Sequence, residues 1–138
     1  TYVNHADLEG LTPEVWERTF SVNVFGTFQM VRAAEKALRA SGNGVVVNVG
    51  SIAGVAGIGS SIAYAASKGA VNTMTLSLAR VLAPEVRINT ICPGFVGTHG
   101  GSLCQLVNMH IAGGDHAPSG RNPNLGFIEV LGVEPDSA

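Results

Sequence analysis

Two β-branched runs joined by one helix-length segment constrain this chain most. Val45-Val46-Val47-Asn48-Val49 follows a Gly-Asn-Gly turn, and Val86-Arg87-Ile88-Asn89-Thr90-Ile91-Cys92 follows Pro84. Short continuous runs of this kind read as strands, and the first, being apolar at nearly every position, predicts a strand buried on both faces. Between them, Ser60 or Ser61 can cap a helix that continues to about Leu82, where Pro84 stops it. Strand, crossover helix and strand make a βαβ unit, which requires parallel strands and a right-handed crossover. The expected class is therefore α/β.

The flanks are less constrained. Residues 1–11 read as irregular. Thr12-Pro13-Glu14 marks a helix start: a capping hydroxyl, proline at the first helical position and an acid in the first turn. Trp16, Phe20, Val24, Phe28 and Val31 recur at helical spacing as one apolar stripe, and Arg39 with Gly42 suits the helix end. Gly26 is expected to weaken or bend this helix. The stretch 50–60 reads as a glycine-rich loop. From Gly100 the pattern dissolves into turn chemistry, leaving a short helix over 102–111 and a strand over 127–133.

Composition narrows the function. At 138 residues the chain fits one domain, and 46% hydrophobic residues make it too apolar for disorder. With only 13% charged residues, much of the surface is expected to be covered by further sequence or by partner subunits. A net charge of −2 without a basic block points neither to nucleic acid nor to an anionic membrane. Cys92 and Cys104 form no metal or redox spacing, so a reduced, cytoplasmic chain is expected. No charged-then-apolar leader opens the sequence, and 45–62 carries too many polar and glycine residues to span a membrane.

Chemistry enters with Tyr64 and Lys68. A four-residue step puts both on one helix face, one turn apart. A fixed ammonium favours the phenolate form of a neighbouring phenol, which suits that phenol to general acid–base work. Ser51 lies just past the first strand, Asn23 within the preceding helix, and Pro93-Gly94 closes the second strand ahead of Phe95-Val96-Gly97-Thr98. Each has an ordinary structural explanation. Tyr64 can be a half-buried core residue, Lys68 a solvated one, Ser51 a turn cap and Asn23 a helix-bending residue with local hydrogen bonds. In this order and spacing, however, Asn23, Ser51, Tyr64, Lys68 and Pro93-Gly94 resemble the short-chain dehydrogenase/reductase family over about 6–98.

The resemblance implies an NAD- or NADP-dependent oxidoreductase that passes hydride between nicotinamide and a ketone or secondary alcohol. Tyr64 is then the proton donor or acceptor. Ser51 hydrogen-bonds the reacting oxygen, Lys68 also holds the nucleotide ribose, and Asn23 holds a water that links Lys68 to solvent. Pro93, Gly94, Val96 and Thr98 are placed against the nicotinamide. The implied fold is a partial Rossmann-like, doubly wound parallel sheet: residues 1–100 form its second half, without the N-terminal βαβ nucleotide-binding half, and 101–138 a divergent tail. Gly50 stands where many members carry a second serine, and the family's phosphate-binding glycine turn is not found. The isolated chain is accordingly expected to bind nicotinamide nucleotide weakly or not at all.

Ala63, Ala65, Ala66, Gly69 and Ala70 allow close approach, either by the sheet beneath or by another helix. The family commonly builds subunit interfaces there, so a homo-oligomer through the helices at about 13–40 and 61–82 is expected. The alternative function is a non-catalytic fragment acting only through such association. Two other patterns are set aside. Gly54-Val55-Ala56-Gly57-Ile58-Gly59 lacks the G-x-G-x-x-G spacing, and His99, Cys104, His110, Asp115 and His116 lack metal-ligand spacing, so no metal is expected.

Overall fold

The computed structural model describes residues 8–59, 61–94, 105–109 and 128–132. Its helical N-terminal part comprises α1 (Pro13–Phe20), a π-helical stretch (Ser21–Gly26) and α2 (Thr27–Ala40). Pro13 enters at the first helical position, but the Thr12 hydroxyl caps no backbone N–H. It bonds the Glu14 carboxylate instead, holding that carboxyl below its ordinary range. The interruption expected at Gly26 takes the form of the π stretch that this glycine ends. Its wider turns rotate the helix face, because each adds a residue to the hydrogen-bonded ring. Thr19, Asn23 and Val31 become the buried line, whereas Phe28 of the apolar stripe is exposed and Trp16, Phe20 and Val24 are half-buried. Gly42, with φ +68°, takes the left-handed conformation that ends α2.

β1 (Gly44–Val49) and β2 (Val86–Pro93) pair in parallel, Gly44 opposite Val86 and Val49 opposite Ile91, with α4 (Ile62–Leu82) as the crossover. Ser61 caps α4 by accepting from the Tyr64 N–H at 3.4 Å. The core lies between α2, α4 and one sheet face: Val31, Ala79, Leu82, Val86 and Ile88, with Leu38, Val46, Leu76 and Leu78 packed around them. Burying each such aliphatic side chain fully contributes about 1.5–3 kcal/mol.

Four expectations need correction. β1 is buried on one face only: Val45, Val47 and Val49 are 42%, 55% and 56% exposed, while Gly44 and Asn48 point inward and are buried. A run of valines satisfies both arrangements, and helices cover only the inward face here. The glycine-rich loop contains a short helix, α3 (Ala53–Ala56), closed by Gly57 at φ +66°. The helix expected over 102–111 is instead β3 (Gln105–Met109), antiparallel to β2 with Pro93 opposite Leu106. The open side of β2 supplies backbone partners that local pattern does not reveal. Finally, the sheet is mixed rather than wholly parallel. β4 (Ile128–Gly132), inside the strand expected over 127–133, pairs antiparallel with β3, giving the order β1-β2-β3-β4. Among the described residues no helix is long and apolar enough to cross a membrane.

Candidate active site

Ser51 is carried by an extension of the parallel ladder. The Gly50 N–H donates to Ile91 O at 2.7 Å and the Ile52 N–H to Pro93 O at 3.0 Å, so the residues on either side are tied to β2. The serine is buried, and its Oγ accepts from the Ala53 N–H at 3.1 Å, at the start of α3. Space behind this turn is tight. A Cβ on Gly50 would collide with the Asn72 amide oxygen and lie 2.9 Å from Cys92 Sγ. The Pro93 carbonyl holds Ile52, the residue after Ser51.

Tyr64 and Lys68 share the first turns of α4. The Lys68 Nζ donates to Val49 O at 2.8 Å and stands 5.7 Å from the centroid of the Tyr64 ring. That bond brings the ammonium to the carboxyl end of β1, two residues before Ser51. Partial burial lowers the Lys68 pKa from its ordinary 10.5, opposed by the nearby Cys92 thiol. Burial pushes the Cys92 thiol above its ordinary 9.0, partly offset by hydrogen bonding with the Ser51 backbone, Asn72 and Thr90 and by the Lys68 charge. The Cys92 Sγ donates to Asn72 Oδ1 at 3.4 Å.

Asn23 reaches the same turn of α4 by another route. Its Nδ2 donates to Ser67 Oγ at 2.9 Å, and Ser67 Oγ donates to Tyr64 O at 2.7 Å. A groove of about 480 Å³ runs along α2 and β1, with Asn23, Thr27, Met30, Val47, Val49 and Lys68 in its lining. Gly94 ends the described segment. Val96 and Thr98 lie outside the described residues, as do His99, Cys104, His110, Asp115 and His116.

A family model described as short chain dehydrogenase matches residues 3–102. The chain belongs to this family. It is 49% identical over 96 residues to a Streptomyces violaceoruber protein named as ketoacyl reductase 2 of the granaticin polyketide synthase, covering 70% of this chain and 39% of that one. A Burkholderia xenovorans short-chain dehydrogenase/reductase crystal structure superimposes with a TM-score of 0.66 at 51% identity, over 71% of this chain and 41% of the other. NAD+-bound xylitol dehydrogenase gives 0.63 at 30% identity, over 71% and 40%. The chain thus spans about two fifths of the length of these short-chain dehydrogenases.

Sequence reasoning missed the polar layer beneath the family motif. Asn48 Nδ2 donates to Thr75 Oγ1 at 2.9 Å, Thr75 Oγ1 to Val71 O at 2.8 Å, and Thr90 Oγ1 to Asn48 O at 3.2 Å. Thr75 and Asn72 thereby fasten α4 to the sheet, and Ser67 fastens it to the π stretch. A signal was present: Ala63, Ser67, Val71, Thr75 and Ala79 recur every four residues, and all are buried. Two hydroxyls on an otherwise apolar buried line mark helix–sheet or helix–helix hydrogen bonds, because such groups are rarely buried unpaired.

Proposed function

We propose that this chain forms the catalytic half of an NAD- or NADP-dependent oxidoreductase that interconverts a ketone and a secondary alcohol. The single observation that supports it most is the hydrogen bond from Lys68 Nζ to Val49 O, which joins the Tyr64 turn to the strand end that carries Ser51. The ketoacyl and xylitol activities in the relatives' names support a carbonyl or secondary alcohol as substrate.

The residues fit a nicotinamide nucleotide. Lys68 lies at the rim of the groove and uses one N–H of three on Val49 O, so donors remain for ribose hydroxyls. Pro93, Gly94, Val96 and Thr98 would bound the nicotinamide. The bound nucleotide supplies or takes up the hydride at the substrate carbon. In the reductive direction Tyr64 gives its phenolic proton to the substrate oxygen, and in the oxidative direction it takes that proton back. Ser51 donates a hydrogen bond to the same oxygen and stabilises charge that develops there. Lys68 places its ammonium 5.7 Å from the centroid of the Tyr64 ring, and Asn23 keeps Lys68 in contact with solvent through a water. In the same reading the sheet is half of a doubly wound fold, the helices at 13–40 and 61–82 meet a second subunit, and the protein works in the cytoplasm.

The test is Tyr64→Phe in the protein that carries this chain, assayed by NADH and NADPH oxidation with a series of ketones. Turnover should fall by roughly 10²–10⁴-fold, the usual contribution of a positioned acid or base, with nucleotide affinity nearly unchanged. Retention of most of the activity would end this reading. Fluorescence titration of residues 1–138 alone with NADH should show weak binding or none, and micromolar affinity would contradict that expectation.

A further inference from the structure

Ser67 lies between Tyr64 and Lys68 in sequence, is fully buried, and bonds across the contact between α4 and the π stretch. A serine hydroxyl has one proton to give and lone pairs to receive one. Both capacities are used at short distance: the proton goes to Tyr64 O at 2.7 Å, and the oxygen receives the Asn23 amide at 2.9 Å. Asn23 is held at its backbone as well, since Thr27 Oγ1 donates to Asn23 O at 2.8 Å. The residue is therefore gripped from both sides inside a helical geometry that rarely forms without a local cause. Of these two bonds, the one to the Ser67 hydroxyl comes from the helix that bears Tyr64.

We propose that Ser67 is a positioning residue whose hydroxyl couples the Asn23 amide to the Tyr64 carbonyl and so fixes the Asn23 turn against the Tyr64–Lys68 turn. The proposal rests on the catalytic reading given above and assigns Ser67 no contact with substrate or nucleotide. Without the hydroxyl, the buried Asn23 amide loses its acceptor on α4, and the π stretch is free to shift along that helix. Small displacements of this kind lower turnover more than substrate affinity, because the reacting groups must meet at near-bonding distance.

Ser67→Ala removes the hydroxyl at nearly constant volume, and Ser67→Cys keeps a polar atom at the same place, somewhat larger and only weakly hydrogen-bonding. Both should lower kcat, by roughly tenfold to a hundredfold, with KM within about twofold. In the Asn23→Ala background, adding Ser67→Ala should cost nothing further, because residues acting through one contact do not add. Full activity in either single variant would show that the hydroxyl is dispensable and would overturn the proposal, as would losses that multiply in the double variant. Hydrogen exchange of the Asn23 side-chain amide, followed by NMR, provides a readout without turnover. Exchange should be faster in Ser67→Ala than in the parent, and an unchanged rate also overturns the coupling. Tyr64→Phe in the same series separates the two ideas: its retained activity sinks the catalytic reading, while the exchange rates still decide whether Ser67 holds Asn23.

Discussion

Lys68 and Cys92 present the same electrostatic problem with opposite signs. Burial penalises the charged form of each, so the lysine titrates below its ordinary 10.5 and the thiol above its ordinary 9.0. Between the lowered Lys68 value and pH 10.5, the unfolded chain binds more protons than the folded one, so this group makes stability rise with pH. Cys92 works the other way. Its thiol stays protonated in the fold after the unfolded thiol ionises, so stability that is complete below pH 9.0 is lost as pH climbs through the raised value. Urea unfolding of the parent, Lys68→Met and Cys92→Ala from neutrality to pH 10.5 checks both. The parent's stability relative to Lys68→Met should grow with pH in the upper part of that range. Relative to Cys92→Ala it should shrink above the ordinary thiol value. A flat difference for Lys68→Met would mean that its ammonium pays no burial cost at the end of β1.

At the scale of elements, the contact between α3 and α4 fixes how the Ser51 turn sits on α4. A Cβ on Gly54 would lie 2.5 Å from Gly69 N and Lys68 C, so the two backbones touch with no room for a methyl group. The reverse contact is looser, since a Cβ on Gly69 would meet Gly54 O at 3.3 Å. Gly54→Ala should therefore destabilise the chain by about 1–3 kcal/mol, the usual cost of overpacking, and Gly69→Ala by clearly less. Chemical denaturation of the two variants reads this directly, and equal losses would contradict the asymmetry. The glycine cluster 54–59 shows where sequence reading stopped. Its composition gives turn propensity but not the close helix contact that Gly54 permits, so the short helix Ala53–Ala56 is not legible in it. By contrast, β1, α4 and β2 were legible because their runs, cap and proline stop all act within a few residues. The positions of Ser51, Tyr64, Lys68 and Asn23 followed from motif spacing. The Asn23–Ser67 bond did not, because it depends on the π stretch and on a partner 44 residues away.

Among the described residues, helices cover one face of β1 and the valines of β1 lie on the other. Val45, Val47 and Val49 project from that other face of β1, which ends the four-stranded sheet among the described residues. No charged residue interrupts β1, so the strand lacks the gatekeepers that ordinarily keep an edge from pairing with another chain. The helices also show apolar groups to solvent, including Phe25, Met30 and Val81, but these are interspersed with Arg32, Lys36 and Arg80. Contiguous uncharged surface favours association more strongly than scattered apolar residues do. Residues 1–138 should consequently self-associate with rising concentration, and Val47→Lys should weaken that association more than Val81→Lys. Sedimentation velocity over a concentration series distinguishes the two surfaces. A larger effect from Val81→Lys would assign assembly to the helices at 13–40 and 61–82, leaving the valine face of β1 without a part in it.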